Sequence, residues 1–248
     1  MNRFLVPLGF IAALVVSVTL WWFMPELIGE QYGHQMKQAG WLVPALIMLL
    51  ILQISFVIER MLSLNKAQGR GSLPDFLNNV RKKLHNNDVD GAIQLCGQQR
   101  GSAANVMRAG LERYNLLKKE QAPKEKIVAE TQAAIQEASG LETPLLERNL
   151  IALSTIASIS TMVGLLGTVM GMIRSFAALG TSGAVDASKL AVGISEALIN
   201  TAGGLFVAIL GIVMYNVFVT RVDNFNYMMD EASYEVLQLL AASASDKH

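Results

Sequence analysis

Charged residues are missing from long stretches of the chain. Phe4 to Pro25, Gln38 to Ile58 and Asn149 to Ile173 contain no Asp, Glu, Lys or Arg. Leu190 to Thr220, longer still, is broken by one charge, Glu196. About 20 apolar residues in a helix cross the ~30 Å hydrocarbon core of a bilayer, so the pattern predicts four transmembrane helices. The first run follows a short positive start, Asn2-Arg3, as a secretory signal would. Its apolar stretch exceeds the usual length of about 7–15 residues and no A-x-A cleavage site follows, so it reads as a retained anchor.

Outside these runs the pattern is helical as well, and no strand pattern of useful length appears, which makes the predicted fold all-α. Gly69 to Ser72 reads as a turn, and Pro74 begins a short helix. Asp88 and Ser102 are placed to cap two more, and Pro123 suits the first turn of a fourth. In that fourth helix Ile127, Thr131, Ala134, Ala138, Leu141 and Leu145 recur at alternating spacings of four and three, a narrow packing stripe. The tail repeats it with Val222, Phe225, Met229, Ala232, Val236 and Leu239. The third and fourth membrane helices are therefore expected to continue beyond the bilayer as a long antiparallel pair, with a kink at Pro144.

Charge placement orients this arrangement. Most of the 20 basic residues lie between Arg60 and Arg148, while Lys37 and Lys189 stand alone in the loops they occupy. The basic segment and both termini are then cytoplasmic, and Trp21, Trp22 and Trp41 fall at the outer interface, where amphipathic rings prefer to sit. The expected organisation is two N-terminal transmembrane helices (about 4–25 and 38–58) with a short periplasmic loop in residues 1–58, and a cytoplasmic helical domain in 59–148. The third and fourth spans occupy 149–220 with a periplasmic loop at about 175–189, and a cytoplasmic C-terminal helix fills 221–248.

Composition narrows the function. Hydrophobic residues make up 52% of the chain and charged residues 16%, and the 20 basic and 20 acidic side chains balance. That balance provides no basic face for displacing counterions from phosphates, so no nucleic-acid partner is expected. A single cysteine, Cys96, excludes an internal disulfide framework and any multi-thiolate metal site, and reads as a small core residue. His34, His85 and His248 are too scattered for a metal cluster. No phosphate loop of the G-x-x-x-x-G-K-[ST] type occurs, so an ATP-driven transporter finds no support. Arg81, Lys82 and Lys83 form the one basic cluster, read as a solvated or lipid-facing edge.

The candidate chemistry lies in the last two spans. Ser154, Ser158, Thr161 and Thr168 share one face of the third, and Gly164, Gly167 and Gly171 include a G-x-x-x-G pair that admits a neighbouring helix closely. These residues alone fit helix–helix glue as well as they fit transport, because Ser and Thr in membranes often bond to their own backbone. Glu196 shifts the balance, since a carboxylate within a span marks a functional site by default. It has a second reading too, as a snorkelling or structurally bonded group near the interface. Counted from the outer loop, Thr168 and Glu196 fall at similar depth on antiparallel neighbours. Asn200 shares the face of Glu196, while Thr201 lies deeper and about 140° around the helix. Gly203 and Gly204 follow in a closely packable segment. Arg174, at the outer end of the third span, fits either a headgroup contact or the pore entrance.

The stretches TIASISTMVGLLGTVMGMIRSFAALG and GISEALINTAGGLFVAILGIVMYNVF, with FVIERMLSLNKAQGRGSLPDF and GSAANVMRAGLERY, resemble the MotA/TolQ/ExbB proton-channel family over roughly residues 41 to 240. Within it the chain most resembles the ExbB forms with an additional N-terminal hydrophobic helix, and TolQ shares the same motifs. The resemblance implies a pentamer in the bacterial inner membrane whose last two spans line a channel. That channel is occupied by ExbD, a single-span partner with an intramembrane aspartate, and proton flow through it drives TonB. It also implies that Thr168, Glu196 and Thr201 line the pore near that aspartate, that protons are the coupling ion with no other cofactor, and that membrane lipid, including a bound phospholipid, is a further contact. Thr161 stands where many members have proline and Met170 where many have tryptophan, so the third span is expected to be straighter here. A MotA-type flagellar or gliding stator and a passive membrane scaffold are the competing readings.

Overall fold

A computed structural model describes residues 5–23, 26, 40–181 and 187–243. It contains α1 (Leu5–Trp22), α2 (Leu42–Gln68), α3 (Leu73–His85), α4 (Val89–Gln99), α5 (Ser102–Lys119), α6 (Lys124–Glu147), α7 (Leu150–Thr181) and α8 (Ala187–Ser243). The described residues are all-helical. Three helical stretches among them, Leu42–His85, Lys124–Ala177 and Ser188–Ala241, are long and apolar enough to cross a membrane. The first charge-free run forms α1, but its apolar part among residues with described side chains, Ala12–Trp22, is shorter than a span. Lys37, His34 and His248 lie outside the described residues.

The chain divides into two compact units, one of Met1–Ile58 with Asn149–Val217, the other of Glu59–Arg148 with Phe218–His248. In the first, Leu49 of α2, Ile156 of α7 and Val207 of α8 form a buried cluster, flanked by Leu50, Leu52, Phe56 and Val163. Around it large apolar side chains face outward, among them Ile151, Met162, Leu165, Leu198 and Ile209. That inversion is what a surface solvated by lipid requires.

The second unit is built as a water-soluble core. Leu73, Phe76, Val80 and Leu84 form the inward stripe of α3, and Met107, Leu111 and Tyr114 that of α5. Pro at the start of α3 and Asp75 in its first turn satisfy the helix start. Asp88 caps α4 by accepting from the Gly91 N–H at 2.9 Å. Ser102 is not a cap: it is the first residue of α5, and Gly101 holds the cap position without a side-chain bond. Pro123 likewise sits one place earlier than expected, at the cap of α6. Cys96 is buried in this core, and burial pushes its thiol up to about 12.

Two further expectations are corrected. Pro144 lies inside α6, and the interruption comes after it, at Arg148 (ψ 139) and Asn149 (φ +62), so α6 and α7 are separate helices. The helix persists for one more turn past the missing proline N–H, and the Leu146 carbonyl, freed by the break that follows, accepts from Arg60 Nη1 at 3.3 Å. The buried stripe of α6 is Ile127, Thr131, Ile135 and Leu146, whereas Leu141 is 69% exposed and Leu145 56%. In α8 Val222, Phe225, Met229, Ala232 and Val236 are buried as expected, but the next buried residue is Leu240 rather than Leu239. An unsupercoiled helix keeps its period at 3.6, so a strict alternation of three and four drifts off the buried face. Of the basic cluster, Arg81 pairs with Glu235, and Lys83 with Asp88 at 2.7 Å.

Candidate functional site

The candidate residues sit on α7 and α8, which pack antiparallel through a ladder of small side chains. Along α7 these are Ala157, Ser160, Gly164, Gly167 and Gly171; along α8 they are Gly193, Ala197, Asn200, Gly204 and Gly211. A Cβ added at Gly204 would lie 2.6 Å from the Ser160 carbonyl oxygen and 2.7 Å from the Gly164 Cα. One added at Gly171 would lie 2.7 Å from the Gly193 carbonyl oxygen. Only glycine admits backbones this close, and close approach maximises dispersion contacts where burial from water cannot drive packing. Gly203, grouped with these by its motif, faces elsewhere: its nearest neighbour is Leu46 Cδ1 of α2, 3.3 Å from a Cβ placed there.

Against this seam the hydroxyl residues separate into two sets. Thr201 turns into it, donating to the Gly164 carbonyl at 3.2 Å. Ser158 donates to Ser154 O at 3.0 Å, Thr161 to Ala157 O at 3.2 Å and Thr168 to Leu165 O at 2.6 Å, each within its own helix and on the open side of α7. Thr168 borders a shallow apolar recess with Val169, Met172, Ile173 and Phe176. Its proton is committed to Leu165, and the lone pairs of its oxygen remain available to an incoming group.

Glu196 belongs to neither set. Its side chain is 5% exposed and pairs with Arg174 Nη1 at 2.5 Å. Arg174 is not at a helix end, because α7 continues to Thr181 and α8 begins at Ala187, well into the stretch expected as a loop. Ser175, next to Arg174, donates to the Leu190 carbonyl at 3.3 Å and adds a second tie between the helices. Asn200 is fully buried in the seam beside Gly167. The structure therefore joins Thr201 and Asn200 with the glycines, joins Glu196 with Arg174, and leaves Thr168, Thr161 and Ser158 on the open face. Sequence reasoning missed Gly193, Gly211, Ser175 and the Arg174 pairing. Gly211 stands two helical turns beyond Gly204 and Gly193 three turns before it, a periodic signal that could have found both from Gly204.

The family pattern described as the MotA/TolQ/ExbB proton channel family matches residues 98–231, more than half of the chain. The chain belongs to the MotA/TolQ/ExbB proton channel family. Its relatives include the biopolymer transport protein "ExbB-like 3" of Synechocystis sp., 44% identical over 91 residues, which is 36% of this chain and 43% of that protein. The Tol-Pal system protein TolQ of Pseudomonas aeruginosa is 39% identical over 117 residues, 47% of this chain and 51% of its own length. The biopolymer transport protein ExbB of Salmonella typhimurium is 38% identical over 99 residues, 38% of this chain and 41% of its own. The aligned segments thus span about half or less of each of these relatives. As a member of a channel family, the chain is a multi-pass membrane protein and not an enzyme.

Proposed function

We propose that the chain is an ExbB-like, channel-forming subunit of a motor in the bacterial inner membrane. It assembles as a homopentamer around an ExbD-like single-span partner with an intramembrane aspartate, and proton flow energises a TonB-like protein and through it outer-membrane transport. In this reading α1 is a fourth span, and both termini and the 59–148 segment are cytoplasmic, with membrane lipid around the assembly. The observation that carries it is the sidedness of α7: a glycine and serine face packs on α8, and the opposite face presents Thr168 beside an apolar recess.

One chain of this kind cannot relay protons alone, because a path across ~30 Å needs further titratable groups or water. The carboxylate comes from the partner. A hydroxyl accepts from a protonated carboxyl and donates to an ionised one without carrying charge itself. Thr168 and the half-buried Thr201 receive the partner's carboxylate in its two forms, accepting from the protonated form and turning onto the ionised one the protons they otherwise give to the Leu165 and Gly164 carbonyls. Ser158 and Thr161 extend the polar track, and Glu196 with Asn200 shapes the outer entrance. The membrane potential supplies ~2.3 kcal/mol per charge per 100 mV. The test is proton-driven uptake in cells carrying Thr168→Ala or Thr201→Ala: both are expected to lose it, and full activity in both would refute the site.

A TolQ-like role is the second reading, favoured by the 117-residue alignment with TolQ. Expression in strains lacking either protein separates the two. Rescue of TonB-dependent uptake supports the ExbB-like role, and rescue of outer-membrane integrity alone supports the TolQ-like one.

A further inference from the structure

The outer end of the first unit holds an arrangement that a pore-lining role for Glu196 does not explain. The carboxylate is buried while its partner Arg174 is 47% exposed, so the guanidinium reaches inward to cover the acid rather than the reverse. A carboxylate in that position needs a paired cation to persist. The chain entering α2 passes directly over the pair: a Cβ at Gly40 would lie 2.7 Å from Glu196 Oε1 and 3.3 Å from Arg174 Nη1. Gly40 also has φ +84, and its carbonyl accepts the Val43 N–H at 3.4 Å to open the first turn of α2. Backbone conformation and space both require glycine there. The adjacent Ser175 ties α7 to the Leu190 carbonyl of α8 at the same level.

We infer that Arg174, Glu196 and Gly40 form a clasp joining α2, α7 and α8, in which Glu196 acts as a positioning residue that anchors Arg174 and is not itself a station for the transported proton. The two charges stand on different helices, so the clasp closes only when the α7–α8 hairpin has formed and α2 has docked on it. Glu196 shapes the outer entrance by fixing these three backbones.

The inference rests on the channel reading only for its activity measurement, so two readouts are used on the full-length protein. The first is thermal unfolding in lipid nanodiscs of Arg174→Met, Glu196→Gln and the double variant. Each single is expected to lower Tm by roughly 3–8 °C, and the double by no more than the larger single. Gly40→Val should show a comparable loss with both charges intact. The second is proton-driven activity with the partner present, for Arg174→Met, Arg174→Lys and the exchanged pair Arg174→Glu with Glu196→Arg. Arg174→Lys and the exchange should retain most of the activity that Arg174→Met loses. Additive losses in Tm would overturn the clasp. So would full activity in Arg174→Met, or an exchanged pair that recovers Tm with activity still absent, since each shows the carboxylate acting alone. Absence of activity in the unaltered protein would refute the channel reading and leave the melting cycle to decide the clasp.

Discussion

The two units of this chain solve opposite packing problems with the same element. In the second, helices meet through large side chains, with Met107, Leu111, Tyr114, Phe218 and Met229 almost fully buried. In the first, α7 and α8 meet through glycine, alanine and serine, while Leu165, Leu198 and Ile151 point outward. Burial from water rewards area, so a soluble bundle places its largest residues inside. Lipid is as apolar as leucine, so a membrane seam gains from close backbone contact and interhelical hydrogen bonds instead. The seam's small residues leave the opposite face of α7 to Thr168 and its recess.

Truncations should separate the units most sharply. Leu111→Ala is expected to destabilise the second unit by about 2–5 kcal/mol through cavity formation. The chemically identical Leu165→Ala, on an outward face, should stay within about 0.5 kcal/mol for the isolated chain. Alkylation of Cys96 measures the first change, because a buried thiol held at about 12 reacts only when the core opens. Enlargement should reverse the ranking: Gly204→Val meets the Ser160 and Gly164 backbones and is expected to cost about 1–3 kcal/mol, read by unfolding in detergent.

Polar changes are smaller. The Gln53 amide, buried in the first unit beside Gly211, has no hydrogen-bond partner among the described residues. Gln53→Leu is therefore expected to leave stability unchanged or raise it, whereas the loss of a satisfied group would lower it. Thr201→Ala removes one interhelical bond and should cost about 0.6 kcal/mol, read by unfolding in detergent. The smallest effect belongs to the α3–α4 corner. Lys83 and then the Gly91 N–H hold the Asp88 carboxyl below its ordinary value. The stability it contributes is complete above about pH 4 and is lost as pH falls through the lowered value in the folded state. Asp88→Asn should remove that acid dependence, followed by helicity against pH.

Much of this architecture is legible in the sequence because it depends on local pattern. The charge-free runs locate α1, α2, α7 and α8, and the caps and prolines locate α3 to α6 within a few residues. What is not legible depends on which faces meet. The alternating stripe on α6 runs through Leu141 and Leu145, which face outward, because a three-and-four alternation and a 3.6 period diverge along the helix. The break between α6 and α7 falls at Asn149 rather than Pro144, a difference set by how far a helix persists past a proline. At the site, the glycine motifs correctly announce close packing, but Gly203 faces α2, and nothing local joins Arg174 to Glu196. Their pairing across the α7–α8 connection follows from the register of two helices, which no single helical spacing encodes.

In the proposed assembly the open face of α7 at Thr168 meets the partner's membrane helix. Disulfide trapping tests it most directly, using Thr168→Cys in a Cys96→Ala background, co-expressed with a single-span partner carrying one cysteine beside its intramembrane carboxylate. A covalent heterodimer is expected under mild oxidation, with none from Ser160→Cys in the same background, because that side chain is fully buried in the seam. No heterodimer from Thr168→Cys, with crosslinks between copies of this chain at that position instead, would contradict it.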